Sequence, residues 1–262
     1  MVTIEELKQQ IQAMGIQPDD TVLIHTSLRA VGPVEKGADG VIDAFCQYLK
    51  DGLFLVPTHT WADVGKENPV YDVRTAVPCI GTLPTVAAFR KDGFRSLHPT
   101  HSMWGYGKDA EEFLRGEEKA GSPGPVGFAW ERLAHRNAKI LLIGVGNNRN
   151  TFIHAVDEIA DIPNRLQPEA TEITIYDHQG NAHHTLFRGH YCTDTSDVSA
   201  QFVNFDRAFT EKGVWKEGKL GNAKVMIVDS VKCRDTVLKI SSRAKEDLCI
   251  RPMELDPSLW RE

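Results

Sequence analysis

Apolar side chains recur at Ile4, Leu7, Ile11 and Met14, with charged and amide residues between them. Three-and-four spacing of this kind marks one face of a helix, so the pattern predicts a helix over residues 4–14. Thr3, with Glu6 three positions on, has the sequence of a capping box, and Gly15 suits the far end. The pattern then changes to short unbroken apolar runs at residues 22–24, 53–56 and 140–143. Each run gives way at once to polar or glycine residues: His25-Thr26-Ser27, Thr58-His59-Thr60, and Gly144 with Gly146. Such runs predict buried strands. Between the first two lies a helix-length segment, residues 37–52, closed by Gly52. Strand, helix and strand make a βαβ-like unit, whose ligands gather outside the carboxyl ends of the strands. The polar residues at those ends are therefore the first candidates for a site.

Further helices are predicted over residues 81–93, 108–118, 128–137, 147–161 and 231–244, with another around residues 203–212. Over residues 170–189 the pattern alternates, with Gln179-Gly180-Asn181 as the turn of a hairpin, and residues 223–230 form a last predicted strand. No repeat, low-complexity stretch or linker breaks this order. It predicts a single mixed α/β domain over residues 1–262, a central sheet flanked by helices.

Composition narrows the picture. A chain of 262 residues, 41% hydrophobic and 25% charged, can bury a large core. No apolar run approaches the roughly 18 residues of a membrane span, and the charged N-terminal segment lacks the core of a signal peptide, so a cytoplasmic protein without a membrane partner is expected. The five cysteines, Cys46, Cys79, Cys192, Cys233 and Cys249, are odd in number and scattered, which predicts reduced thiols. A net charge of −6 argues against a nucleic-acid partner and accommodates a cationic ligand. Monomer and homodimer are both open.

The stretch FRSLHPTHSMWGYG, residues 94–107, sets His98 and His101 among hydroxyls and beside Arg95. A metal-dependent amide hydrolase would use His59, His98, His101 and His154 as ligands. However, Pro99 disfavours a helix presenting both His98 and His101 on one face, and no HExxH or cysteine ligand accompanies them. Ser27 and Ser102 each neighbour a histidine, but neither sits in a GxSxG elbow. Cys192 could act as a nucleophile with His190, although an inert, partly buried cysteine is the commoner case. In NTFIHAVDE, Asp157 and Glu158 follow His154 by three and four residues, one helical turn away on the same face. A carboxylate there can fix the imidazole tautomer and raise its basicity, as a general base requires. A solvated surface histidine is the alternative that spacing leaves open, and a non-catalytic nucleotide-binding module is a third reading of the chain.

Taken together, LIHTSLRAVGPVEKGADGVIDAF, GLFLVPTHTW, GTLPTVAAFR, RSLHPTHSMWGYG and LLIGVGNNRNTFIHAVDE resemble the aminoglycoside 3-N-acetyltransferase family, in family order over about residues 20–160. HYCTDTSDVSAQF and GKLGNAKVMIVDS extend the likeness to about residue 230. The resemblance implies the antibiotic N-acetyltransferase fold, distinct from the GNAT fold. It also implies an antibiotic-resistance activity: transfer of an acetyl group from acetyl-CoA, without a metal, to the 3-amine of the 2-deoxystreptamine ring of an aminoglycoside.

By the same resemblance His25, Thr26, Ser27, Leu28 and Arg29, with the turn at Val31 and Gly32, match the family's first coenzyme A segment. Arg95, Ser96, His98, Thr100, His101 and Ser102 match the second. His154 matches the catalytic histidine. The family commonly has Glu three residues after it, where this chain has Asp157, followed by Glu158. Arginines, hydroxyls and free backbone N–H groups suit the coenzyme's phosphates. Ser102, Thr100 or a backbone N–H are candidate donors to the developing oxyanion. A polycationic acceptor calls for carboxylates near the base, for which Asp63, Glu67, Asp72 and Asp161 are candidates. Gly116-Glu117-Glu118 stands where many members carry Gly-His, a departure that bears on the acceptor.

Overall fold

The computed structural model describes residues 1–261. Helix α1 (Ile4–Ala13) opens on the expected capping box, with the Thr3 hydroxyl accepting from the Glu6 N–H and the Glu6 carboxylate accepting from the Thr3 N–H at 2.7 Å. There follow β1 (Thr21–Thr26), α2 (Leu28–Val31), α3 (Ala38–Tyr48), β2 (Leu53–Pro57), β3 (Val70–Asp72) and α4 (Thr82–Phe89). The middle of the chain forms β4 (Phe94–Arg95), β5 (Met103–Gly107), α5 (Ala110–Phe113), α6 (Ala129–His135), β6 (Lys139–Ile143) and α7 (Phe152–Ile159). The last third forms β7 (Thr171–Tyr176), β8 (Ala182–Phe187), α8 (Asp206–Glu211), β9 (Trp215–Leu220), β10 (Ala223–Asp229) and α9 (Ser230–Arg243).

Seven strands make one sheet in the order β4-β5-β2-β1-β6-β10-β9. Its middle, β2-β1-β6, is parallel, and β5 and β10 join antiparallel on either side. The two-residue period of a strand divides the core between the faces. Leu23, Leu55, Ile140 and Leu142 pack with Trp130, Phe152 and Val237 from α6, α7 and α9. Val22, Ile24, Phe54, Val56 and Leu141 pack with Leu7, Ile11, Phe45 and Leu83 from α1, α3 and α4. The predicted hairpin, β7 with β8, belongs to a second sheet, where β3 pairs in parallel with β7 over a small core that includes Tyr71, Ile173 and Ile175. Tyr71 Oη donates to the Ser96 carbonyl at 3.2 Å, tying this sheet to the large one.

Several predicted helices shorten: residues 81–93 give α4, and residues 147–161 give a 3-10 turn (Asn147–Arg149) before α7. Over residues 108–118 only one turn forms as α5 before Gly116, at φ 85°, breaks the path into a 3-10 turn, Glu117–Lys119. Around residues 203–212, a 3-10 segment (Ser199–Phe205) precedes α8.

Candidate active site

Because β2, β1 and β6 run the same way, the polar residues that end them meet at one edge of the sheet. β5 starts at that edge, since Met103 pairs with Pro57. A cavity of about 480 Å³ opens there, and His25, His59, His101, His154 and His190 all contribute to its wall. Three buried polar atoms near it, His25 Nε2, His59 Nε2 and Thr26 Oγ1, have no hydrogen-bond partner among the described residues. A buried polar group left unpaired costs stability, so these atoms mark a place for a polar ligand.

The first predicted segment bends around the cavity. Ser27 caps α2, its hydroxyl accepting from the Ala30 N–H at 3.3 Å. Gly144, at φ 65°, ends β6 so close beneath that turn that a Cβ would lie 2.3 Å from Ala30 Cβ. His25, Thr26 and Ser27 line the cavity. Leu28 and the buried Val31 hold the turn from behind, Gly32 ends it at φ 85°, and Arg29 is exposed.

In the second segment only His101 reaches the cavity. Arg95 is 2% exposed, and its guanidinium donates to the carbonyls of Ala76 (2.6 Å) and Thr58 (3.1 Å) and to Thr58 Oγ1 (3.2 Å). Every nitrogen of that guanidinium has a protein acceptor, so it serves as a strut of the wall. Ser96 Oγ accepts from the Met103 N–H at 3.1 Å, and Ser102 Oγ donates to the Thr58 carbonyl at 2.8 Å. Thr100 Oγ1 is 2.8 Å from His101 Nδ1. His98 Nδ1 accepts from the N–H groups of Thr100 (3.3 Å) and His101 (2.9 Å), which leaves the proton on Nε2 to donate to the Ser122 carbonyl at 3.0 Å. Arg95, Ser96, His98, Thr100 and Ser102 thus shape the wall from behind, and Ser102 and Thr100 are committed within the protein. With both His98 nitrogens taken, the four-histidine metal site loses a ligand. Among the described residues no group of three or more histidine, cysteine or carboxylate side chains is arranged to hold a metal ion.

His154 sits in the first turn of α7, half-buried, with its ring 4.8 Å from Phe202 and 3.9 Å from His190 between centroids. Burial, then the neighbouring His190 and Arg165, hold it well below the usual histidine range, so it is neutral near pH 7. Neither following carboxylate hydrogen-bonds to it. Asp157 accepts from Arg165 Nε at 2.9 Å, and Arg165 makes two further bonds, at 2.6 and 2.7 Å, to Asp247. Glu158 accepts from the Ser122 hydroxyl and from the Gly124 N–H, the latter at 2.7 Å. The one-turn spacing is real, but stronger partners claim both acids.

The predicted acceptor acids lie outside the cavity wall. Asp63 and Glu67 are exposed in the turns after β2, Asp72 pairs with Arg74 at 2.6 Å, and Asp161 is exposed beyond α7. The carboxylate that does line the cavity is Asp197, which also accepts from the Ala200 N–H at 3.2 Å at the start of the 3-10 segment. Arg149, Arg165 and the exposed rings of Trp61 and Tyr191 line it as well. Arg149 follows the strongest strand pattern of the chain, and a strict strand-end reading would have reached it. Nothing local in sequence announces Asp197. Cys192, with a free thiol like the other four cysteines, lies in the wall and accepts from Asn164 Nδ2 at 3.4 Å. No helix among the described residues is long and apolar enough to cross a membrane.

The model of the aminoglycoside 3-N-acetyltransferase family matches residues 23–241, which include all five histidines of the cavity wall. The chain belongs to this family. It is 29% identical over 182 residues to aminoglycoside N(3)-acetyltransferase III of Serratia marcescens, spanning 63% of this chain and 67% of that protein. It is 27% identical over 227 residues to aminoglycoside N(3)-acetyltransferase IV of Salmonella sp, spanning 86% and 82%. Among solved structures, a histidine-to-alanine variant of AAC(3)-IVa in complex with a gentamicin is similar at a TM-score of 0.77 and 25% identity, covering 92% of this chain and 89% of that one. AAC-IIIb, solved as a binary complex with CoASH, shares the fold at a TM-score of 0.76 and 20% identity, over 90% and 95% of the two chains. The chain is accordingly an acyltransferase of this family with its mixed α/β fold.

Proposed function

We propose that the chain transfers the acetyl group of acetyl-CoA directly to the 3-amine of an aminoglycoside, with His154 as general base. The observation that carries this reading is His154 itself, a neutral imidazole on the wall of the strand-end cavity with no hydrogen-bond partner among the described residues. A thioester is already activated, so an amine can attack it without an enzyme nucleophile. The attack does need a group to take the proton as the C–N bond forms. His154 takes it. The unpartnered Thr26 Oγ1 and His59 Nε2, with a proton on the latter, supply donors for the charge that builds on the thioester oxygen, in place of Ser102 and Thr100. Arg29 and Arg149, both exposed and free of ion pairs among the described residues, suit the coenzyme's phosphates. Asp197 suits the acceptor's ammonium. The acetyl donor and the aminoglycoside acceptor of this reading accord with the names of the relatives and the ligands of the AAC structures, a gentamicin and CoASH among them.

A second reading, transfer to a smaller amine, is favoured by one observation: Asp197 is the single carboxylate in the cavity wall among the described residues. A polycation would be better held by several. The deciding experiment is thiol release from acetyl-CoA with aminoglycosides that have and lack a free 3-amine, alongside simple primary amines. Release confined to free 3-amine compounds is the expected result. Release with simple amines alone selects the second reading, and no release with any amine removes both.

A further inference from the structure

Acetylation of an ammonium removes two protons from its nitrogen. As the C–N bond forms and the C–S bond breaks, the sulfur leaves with the bonding pair and takes one proton to become the thiol. The other must reach water, and when the ammonium is deprotonated inside the cavity it leaves by way of the half-buried His154. We propose that His190 is the exit for that proton, receiving it from His154 and passing it to solvent; this rests on the acyl-transfer reading of the same cavity.

Three observations point to His190. Its ring lies 3.9 Å from that of His154 between centroids, tilted by 37°, and both rings line the cavity. It follows β8 and is exposed, which His154 is not. The other neighbours are engaged by protein groups, and His59, with its proton on Nε2, is given to the thioester oxygen. Asp157 is held by Arg165, Glu158 by Ser122 and Gly124, and the buried His101, 4.9 Å from His190, has its Nδ1 paired with Thr100. Burial opposes protonation of His190 first and the Arg165 guanidinium second, while the Asp197 carboxylate favours it. The residue nonetheless keeps an exposed surface. A proton arriving there meets a carboxylate on one side and water on the other.

Rings tilted against one another in this way are not themselves hydrogen-bonded. The transfer runs through one bridging water or a turn of the exposed ring, a motion of picoseconds to nanoseconds that is far faster than turnover. The sequence pairs His190 with Cys192 as a candidate nucleophile, but direct transfer leaves the thiol without a task. His190 acts through His154 and is a positioning and relay residue.

The test compares wild type, His190→Phe and His190→Gln by thiol release from acetyl-CoA with the best acceptor, at several concentrations of imidazole and in H2O and D2O. His190→Phe keeps a ring against His154, and His190→Gln serves should that variant not fold. The expected result is a kcat lower by about 10- to 100-fold with KM for acetyl-CoA unchanged. Added imidazole then restores the rate in a saturable way, and the solvent isotope effect on kcat rises. A kcat within twofold of wild type overturns the proposal. So does a loss that imidazole does not restore in either variant. Failure of the underlying reading shows separately, as wild type that binds acetyl-CoA and releases no thiol with any amine.

Discussion

At the scale of single residues, the chemistry turns on how each histidine is held. His98 and His154 have the same side chain and both are pushed well below the usual imidazole range, chiefly by burial. His98 spends both nitrogens on backbone groups and is structural, while His154 faces the cavity with none spent among the described residues. Replacing His154 with Ala is therefore expected to cut kcat by roughly 100-fold or more and leave KM for acetyl-CoA near wild type. Steady-state kinetics check this, and a variant that keeps wild-type turnover places the base elsewhere. The pH dependence has a defined sign. His154 acts only when neutral, and its pKa is lowered, so kcat should rise with pH along a limb below about 6.5, the ordinary histidine value, and then level. A limb centred above that value would not belong to His154.

At the scale of elements, α7 explains why the neighbouring acids do not serve the base. Its first turn carries His154 into the cavity, and its second anchors the helix: Asp157 to Arg165 and through it to Asp247, Glu158 to the loop at Gly124. Asp157 and Arg165 are both nearly buried, and burial raises the Asp157 carboxyl to about 6 even beside the guanidinium. Removing Arg165 with Ala strands that carboxyl without its partner, and should destabilise the fold by about 3 kcal/mol or more. Asp157→Asn keeps the shape and loses a charge that the site already disfavours, so its melting temperature and kcat should stay closer to wild type. Thermal melts and kinetics on the two variants check the assignment. Loss of kcat in Asp157→Asn equal to that in His154→Ala, at unchanged stability, would restore a dyad. Much of this architecture is legible in sequence, because the strand runs 22–24, 53–56 and 140–143 and the Thr3–Glu6 box are local patterns. Other parts are not local. β9, WKEGKL, is an edge strand with few buried residues, and its apolar pattern is correspondingly weak. Arg95 is a coenzyme ligand by the resemblance, and packing spends its guanidinium inside the wall. Asp197 enters the cavity wall only because the long segment after β8 folds back over the strand ends.

For the whole molecule, a cavity walled by histidines makes stability depend on pH. Burial lowers His25 and His98 to about 3, lowers His59, His101 and His154 strongly, and with Arg165 brings His190 to about 4. The unfolded chain takes up these protons near pH 6.5, the folded one only at lower pH. Between those limits the unfolded state binds more protons, so stability falls as pH drops, by about 1.4 kcal/mol per pH unit for each histidine fully in that window. Four carboxyls oppose this, Glu117 and Asp157 buried and Glu158 and Asp206 half-buried. Glu117 is raised to about 7, Asp157 and Asp206 to about 6, and Glu158 is raised as well, so the folded state binds more protons there from those values down to about 4. Five well-covered imidazoles outweigh four carboxyls even with the exposed His190 discounted, and the carboxyl contribution is complete near pH 4 while His25 and His98 still resist protonation. Below that, Glu211, lowered to about 2 by Trp260 and its arginine partners, adds to the acid loss. Melting temperature should therefore fall between pH 7 and pH 4, most steeply below about pH 5. Calorimetric scans across this range decide it. A melting temperature as high at pH 4.5 as at pH 7 would mean that the histidine wall is solvated enough to protonate without opening the fold. The neutral His154 required by the proposed chemistry would then need a cause other than burial.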